Sequence, residues 1–257
     1  MNTVTSRDGT VLAYDRLGDG PPVVLLPGGS VDRMSNAGLA AELSRDFTVY
    51  NLDRRGRGDS ADTLPYAVQR EIEDITAVIE AAGGSAHLYG SSSGAALALE
   101  AAAAGAPVAK LALWEPPYFI EPRPELADTA RVFHDLVAAG KRDEAAEYFM
   151  GTVVGLPPEF VAGARQAPWW AGQIKIAHTL EYDATIMGTY GMPVERAESV
   201  QVPTIIVDGA ASFPFMRETA DRLAELIPDA QRATLEGQSH DVDPAALAPV
   251  LAAFFAG

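Results

Sequence analysis

The sequence predicts an α/β protein with a mainly parallel sheet and helices on both faces. Three observations predict it. Short, wholly apolar runs alternate with segments of helical spacing. The runs end in Gly- and Pro-containing turns and lack the polar alternation of a half-exposed strand. The 257 residues, 48% of them apolar, give volume for one large core.

The elements follow in order. Asp8-Gly9 separates the alternating segments Val4–Ser6 and Val11–Leu17, the signature of a hairpin. Val23–Leu26 is a buried strand closed by Pro27-Gly28-Gly29, and Phe47–Leu52 is another strand. Ile72, Ile75, Val78, Ile79 and Ala82 recur at helical spacing within Val68–Ala82, which stops at Gly83-Gly84. Ala86–Tyr89 is a strand, Ser93–Ala104 an Ala-rich helix and Val108–Trp114 a strand. After Pro203 the alternation resumes, with strand Thr204–Asp208, helix Phe215–Leu226, strand Gln231–Leu235 and helix Ala245–Phe255. The block between has helix formers and aromatics but no buried strand. The expected organisation is a core of residues 1–117 and 200–257 with a helical cap, 118–199, inserted.

Composition excludes several chemistries. There is no cysteine, hence no disulfide, thiolate metal site or Cys nucleophile. The 35 acidic and 19 basic residues leave a formal charge of −16, which disfavours nucleic acid as a partner. The first residues lack a basic start followed by an apolar stretch, and no apolar run is long enough to span a bilayer. A soluble, cytoplasmic protein without a membrane partner is expected. The scattered histidines lack metal-ligand spacing, and no metal or organic cofactor is implied.

The strongest chemical signal is Gly90-Ser91-Ser92-Ser93-Gly94 between a predicted strand and a predicted helix. A G-x-S-x-G nucleophile elbow requires that context. The sharp turn forces Ser92 into a strained backbone and lifts its hydroxyl above the sheet. Ser92 is the candidate nucleophile, and the Ser93 amide at the helix N-terminus would face a developing oxyanion. Of the four histidines, His87 lies in a strand and His134 and His178 in the inserted block. His240 alone sits on a Gly-led loop, Gly237-Gln238-Ser239-His240-Asp241, after the last strand.

With these motifs the sequence resembles the α/β-hydrolase superfamily. The resemblance implies an eight-stranded, mainly parallel sheet with an inserted helical cap. It makes His240 the catalytic base. Leu26-Pro27-Gly28-Gly29 stands where that family has its His-Gly oxyanion loop, with Pro27 replacing the His, and the resemblance makes the Gly29 amide the second oxyanion donor. Asp53-Arg54-Arg55-Gly56-Arg57-Gly58-Asp59-Ser60 looks like the family's D-x-R-G-x-G-x-S loop, which is structural; its arginines are expected to pair with local acids.

The acid of the triad departs from the pattern. The family usually carries it in a Gly-x-x-Asp turn; here the stretch reads Gly209-Ala210-Ala211-Ser212. Ser212, before Phe213-Pro214, reads as a helix N-cap. Glu115, at the end of the preceding sheet strand, is the expected acid, and Asp208 is its rival. Branches resembling haloalkane dehalogenases and zearalenone-type lactone hydrolases place an acid after that sixth strand. Glu carries one methylene more than Asp, which helps span the extra strand spacing of about 4.8 Å. Asp241, adjoining His240, is poorly placed to bond its ring.

The implied substrate is a small, neutral or weakly polar ester or lactone, cleaved through an acyl-enzyme on Ser92. Two other readings stay open: a cofactor-free perhydrolase or haloperoxidase-like enzyme with the same triad, and a non-catalytic ligand-binding member of the fold. A serine at the elbow argues against dehalogenase or epoxide-hydrolase chemistry, which uses an Asp nucleophile. Trp169-Trp170 in the cap is the expected substrate contact, since neighbouring helical positions point in different directions and one can face the pocket. A strongly anionic substrate would require Arg123, Arg165 or Lys175 inside that pocket.

Overall fold

A computed structural model describes all 257 residues. Its eight strands are β1 (Asn2–Thr5), β2 (Val11–Leu17), β3 (Pro22–Leu26), β4 (Thr48–Leu52), β5 (Ala86–Ser91), β6 (Val108–Trp114), β7 (Thr204–Gly209) and β8 (Gln231–Leu235). They form one sheet in the order β1-β2-β4-β3-β5-β6-β7-β8. β2 pairs antiparallel with β1 and β4, and every pair from β4 to β8 is parallel.

The helices are α1 (Ala37–Leu43), α2 (Val68–Ala81), α3 (Ser93–Ala103), α4 (Thr129–Ala138), α5 (Arg142–Tyr148), α6 (Pro158–Ala164), α7 (Trp170–Ile176), α8 (Leu180–Met187), α9 (Val194–Ser199), α10 (Pro214–Leu226) and α11 (Pro244–Ala256). The run Val23–Leu26 is fully buried because β3 serves two cores at once. Val24 and Leu26 pack with Ile75 and Val78 of α2, Leu97 and Leu99 of α3 and Leu223 of α10. Val23 and Leu25 point the other way, to Leu39 and Leu43 of α1 and Leu251 and Phe255 of α11. Period-two alternation on an apolar strand thus builds both faces.

The expected elements form within one or two residues of their predicted ends; β5, for example, runs on two residues to Ser91. α1 was not expected. It follows a short 3₁₀ turn, Arg33–Asn36, whose entry is capped by Asp32 accepting from the Met34 amide. Residues between β6 and β7 add no strand to the sheet. They hold α4–α9 and one π-helical turn, Phe149–Val153. Part of this block has its own small cores, one around Phe133 and one around Met150 and Trp170. Its later part joins the sheet core instead, through Ile186, Met187, Tyr190 and Ala197. Stacking of Tyr66 on Tyr182, with ring centroids 3.9 Å apart, ties α8 to the loop before α2.

Strand order reverses beside β3, so the turns after β3 and β5 diverge from the C-terminal edge of the sheet. A crevice opens at such a point in an open parallel sheet.

Candidate active site

Ser92 links β5 to α3 with φ +54° and ψ −124°, the strained backbone expected of an elbow. The flanking glycines leave no choice of side chain. A Cβ on Gly90 would lie 2.2 Å from the Gly94 carbonyl oxygen, and one on Gly94 would lie 2.4 Å from that of Pro27. The Ser92 hydroxyl makes no hydrogen bond within the protein, and none joins it to His240; both side chains line the same two cavities. The backbone amides of Gly29 and Ser93 also lack an acceptor in the protein, and both residues line the inner cavity.

His240 sits in the loop after β8, with Nδ1 2.6 Å from Glu115 Oε2. With Glu115 ionised, Nδ1 carries the proton and Nε2 is the free nitrogen. Glu115 follows β6 directly, is fully buried and has φ +44°. Its carboxylate accepts two further bonds: the Gly209 amide donates to Oε1 at 2.8 Å and the Ser212 hydroxyl to Oε2 at 2.8 Å. Desolvation of a buried charge is thereby offset by three donors. Ser212 is therefore not the helix cap it was expected to be. Phe213 takes the N-cap position and Pro214 begins α10, leaving the Ser212 hydroxyl free to turn toward Glu115.

Asp208, the rival acid, faces away from His240. Its carboxylate accepts from Arg232 at 2.8 Å and Thr234 at 2.7 Å, both on β8, and Arg217 lies at 3.6 Å. Burial acts to raise its pKa, but the bonds from Arg232 and Thr234 outweigh this and hold it below the usual carboxylate value. Asp208 at the end of β7 points along its own strand pair, whereas Glu115 reaches across β7 to the loop after β8. Asp241 makes no bond to the imidazole either; it lines the rim of the outer cavity.

The outer cavity encloses about 430 Å³ and the inner one about 110 Å³. Ser92, His240, Gly29, Phe149 and Val154 border both. Trp169, Phe160 and Gln173 line the outer cavity, while Phe119, Met187, Phe213 and Phe215 line the inner one. The two tryptophans separate as neighbouring positions must. Trp169 faces the outer cavity and is 48% exposed. Trp170 lines neither cavity, which corrects its expected role as a substrate contact. It is buried among the helices between β6 and β7, with Nε1 donating to Asp143 Oδ1 at 2.9 Å. Arg123, Arg165 and Lys175 line neither cavity, and Arg123 and Arg165 are paired with Glu125 and Glu147.

The three loop arginines pair as expected, although not only with local acids. Arg55 forms two bonds of 2.7 Å to Asp74 and one of 3.0 Å to Asp8. Arg54 bonds Glu71 in the same two-pronged way and also reaches Asp183 of α8 at 2.8 Å. Arg57 donates to both oxygens of Asp183 at 2.8 Å. Asp183, in the inserted block, was not singled out from the sequence, yet it lines the inner cavity beside Ser93 and Gly29. The other histidines lie elsewhere: His87 stacks on Phe255, His134 meets Glu181, and His178 lies 3.5 Å from Asp62.

Residues 23–251 match the family model described as the alpha/beta hydrolase family. The chain belongs to that family. An alpha/beta hydrolase from Sphaerobacter thermophilus is 50% identical, with a TM-score of 0.92 over 99% of this chain and all of that one. The N-formylmaleamate deformylase of Pseudomonas putida is 39% identical over 104 residues, and the chain spans only 39% of its length in that match. The enol-lactonase from Burkholderia xenovorans shares the fold at a TM-score of 0.73 and 22% identity, with both chains fully covered. No helix of this hydrolase is long and apolar enough to cross a membrane.

Proposed function

We propose that this alpha/beta hydrolase cleaves a carboxylic ester or lactone through an acyl-enzyme on Ser92. The observation that carries the reading is the Glu115–His240 pair, 2.6 Å apart, at a cavity lined by an elbow serine. In this reading His240 Nε2 takes the Ser92 proton as Oγ bonds to the substrate carbonyl carbon. The oxyanion accepts from the Gly29 and Ser93 amides, which have no partner in the protein. Collapse breaks the carbon–oxygen bond to the alcohol, which leaves with the proton from His240. Water then attacks the acyl carbon, His240 takes its proton, and Ser92 recovers its own as the acid departs. Glu115 stays ionised throughout, holding the Nδ1 proton and stabilising the imidazolium.

The lining of the cavities supports a neutral small-molecule substrate. Aromatic and Met side chains dominate the inner cavity, and no arginine or lysine lines either one. A neutral acyl group fits this lining better than a dicarboxylate. The test is release of p-nitrophenol from short acyl esters by the wild type and Ser92→Ala. Turnover that falls to background in Ser92→Ala supports the reading, and equal turnover in the two proteins removes it.

A further inference from the structure

One carbonyl beside the cavity is held by a charge. Arg57 Nη1 donates to the Gly28 carbonyl oxygen at 2.5 Å and to that of Val31 at 3.3 Å. The Gly28 carbonyl and the Gly29 N–H belong to one peptide unit. That unit is planar and its C=O and N–H bonds point in opposite directions, so fixing the carbonyl fixes the direction of the amide. A cation on the oxygen also polarises the unit and makes its N–H a stronger donor.

Arg57 is itself held from the inserted helices. It is 1% exposed and bonds both oxygens of Asp183, whose Oδ1 also accepts from the Ser93 hydroxyl at 2.8 Å. Asp183 Oδ2 and Ser93 Oγ lie 3.2 and 3.3 Å from where a Gly29 side chain would begin. One carboxylate from α8 therefore touches both segments that carry a free amide. Burial would raise the Asp183 pKa, but Arg57 and Arg54 overcome it and keep the group ionised. Arg54, Arg57, Glu71 and Asp183 together balance to zero charge, so the cluster places no net charge beside a developing oxyanion.

We propose that Arg57, clamped by Asp183, is a positioning residue that aims and polarises the Gly29 amide toward the reacting carbonyl. It couples seating of the inserted helices to assembly of the oxyanion site. The kinetic half of this inference rests on the proposed hydrolase function; the structural half does not.

The experiment uses Arg57→Lys, which keeps the charge beside Asp183 but loses the two-pronged reach, and the charge-balanced Arg57→Gln/Asp183→Asn. The ¹H–¹⁵N chemical shift of the Gly29 amide and steady-state ester hydrolysis are measured on each. A displaced Gly29 cross-peak is expected, with the amides of β5 and β6 at their wild-type positions. A kcat loss of roughly tenfold to a hundredfold with KM within about threefold is expected alongside it, since an oxyanion donor acts on the transition state. A wild-type Gly29 chemical shift in a folded variant overturns the proposal, whether or not the chain hydrolyses an ester. Unchanged kcat beside Ser92-dependent turnover in the wild type overturns it too. Equal turnover by wild type and Ser92→Ala counts against the hydrolase reading alone, and the Gly29 chemical shift then decides on Arg57. If the double variant fails to fold, Arg57→Lys gives both readouts.

Discussion

The Ser212 hydroxyl donates to Glu115 Oε2 at 2.8 Å, the oxygen that also faces His240 Nδ1. The turn after β7 thus supports a carboxylate in place of supplying one. Removing the hydroxyl in Ser212→Ala leaves Glu115 with two donors, and kcat is expected to fall about threefold to tenfold, part of the roughly 1.5–3 kcal/mol that one bond to a buried charge is worth. Ser212→Asp alone puts a second carboxylate against Glu115 and is expected to be worse. In a Glu115→Gln background the same Ser212→Asp change restores a carboxylate near His240. The double variant is therefore expected to outperform Glu115→Gln in ester hydrolysis.

Glu115→Gln and Asp208→Asn separate the two acids. Gln cannot stabilise the imidazolium and can favour the wrong tautomer, so kcat is expected to fall by about 10⁴. Asp208→Asn weakens bonds to Arg232 and Thr234 away from the imidazole, so it is expected to lower the melting temperature with kcat within about twofold. Kinetics and thermal melts on both variants check this, and the reverse pattern would make Asp208 the acid.

Trp169→Ala and Trp170→Ala are expected to differ in kind. Trp169 lines the outer cavity and is half exposed, so its loss raises KM without changing the melting temperature. Trp170 is buried and bonded to Asp143, and its loss costs about 3–5 kcal/mol of stability in the inserted helices. Paired melts and Michaelis curves distinguish the two.

Acid should weaken one anchor of the arginine loop. Burial alone would raise the Asp8 pKa, but bonds from Thr10 and Arg55 bring it from its ordinary 3.8 down to about 2. A depressed folded value means the stabilisation is complete above the unfolded pKa and is lost as pH falls through the folded one. Wild-type stability is expected to decline toward that of Asp8→Asn between about pH 4 and 2. A gap between the two melting temperatures that stays constant over this range would contradict the linkage.

The centre of the sheet was legible because strands such as β3 and β4 are buried on both faces, and wholly apolar runs such as Val23–Leu26 signal that directly. The elbow was legible because two close backbone approaches demand Gly90 and Gly94. Glu115 could be singled out because it ends a strand on the edge where the crevice opens. α1 was missed: Gly38 interrupts its Ala-rich stretch, and only Leu39, Ala40 and Leu43 mark its buried stripe. Ser212 was misread because its local signature, a serine before Phe-Pro, is that of a cap, while its partner lies 97 residues away. Asp183 was invisible for the same reason. A single acid in a helical block carries no signal until folding brings it to Arg57, 126 residues earlier. Pairs set by tertiary contact leave no local spacing to read, although three arginines in one loop of a chain carrying a formal charge of −16 did announce that acids must come to meet them.

The most direct test of the central claim is the site and rate of covalent labelling by a fluorophosphonate, read by intact mass and peptide mapping. The account predicts one adduct, on Ser92, formed rapidly by the wild type, far more slowly by Glu115→Gln and not at all by Ser92→Ala. An adduct on Ser91 or Ser93, or labelling that persists in Ser92→Ala at the wild-type rate, would contradict it.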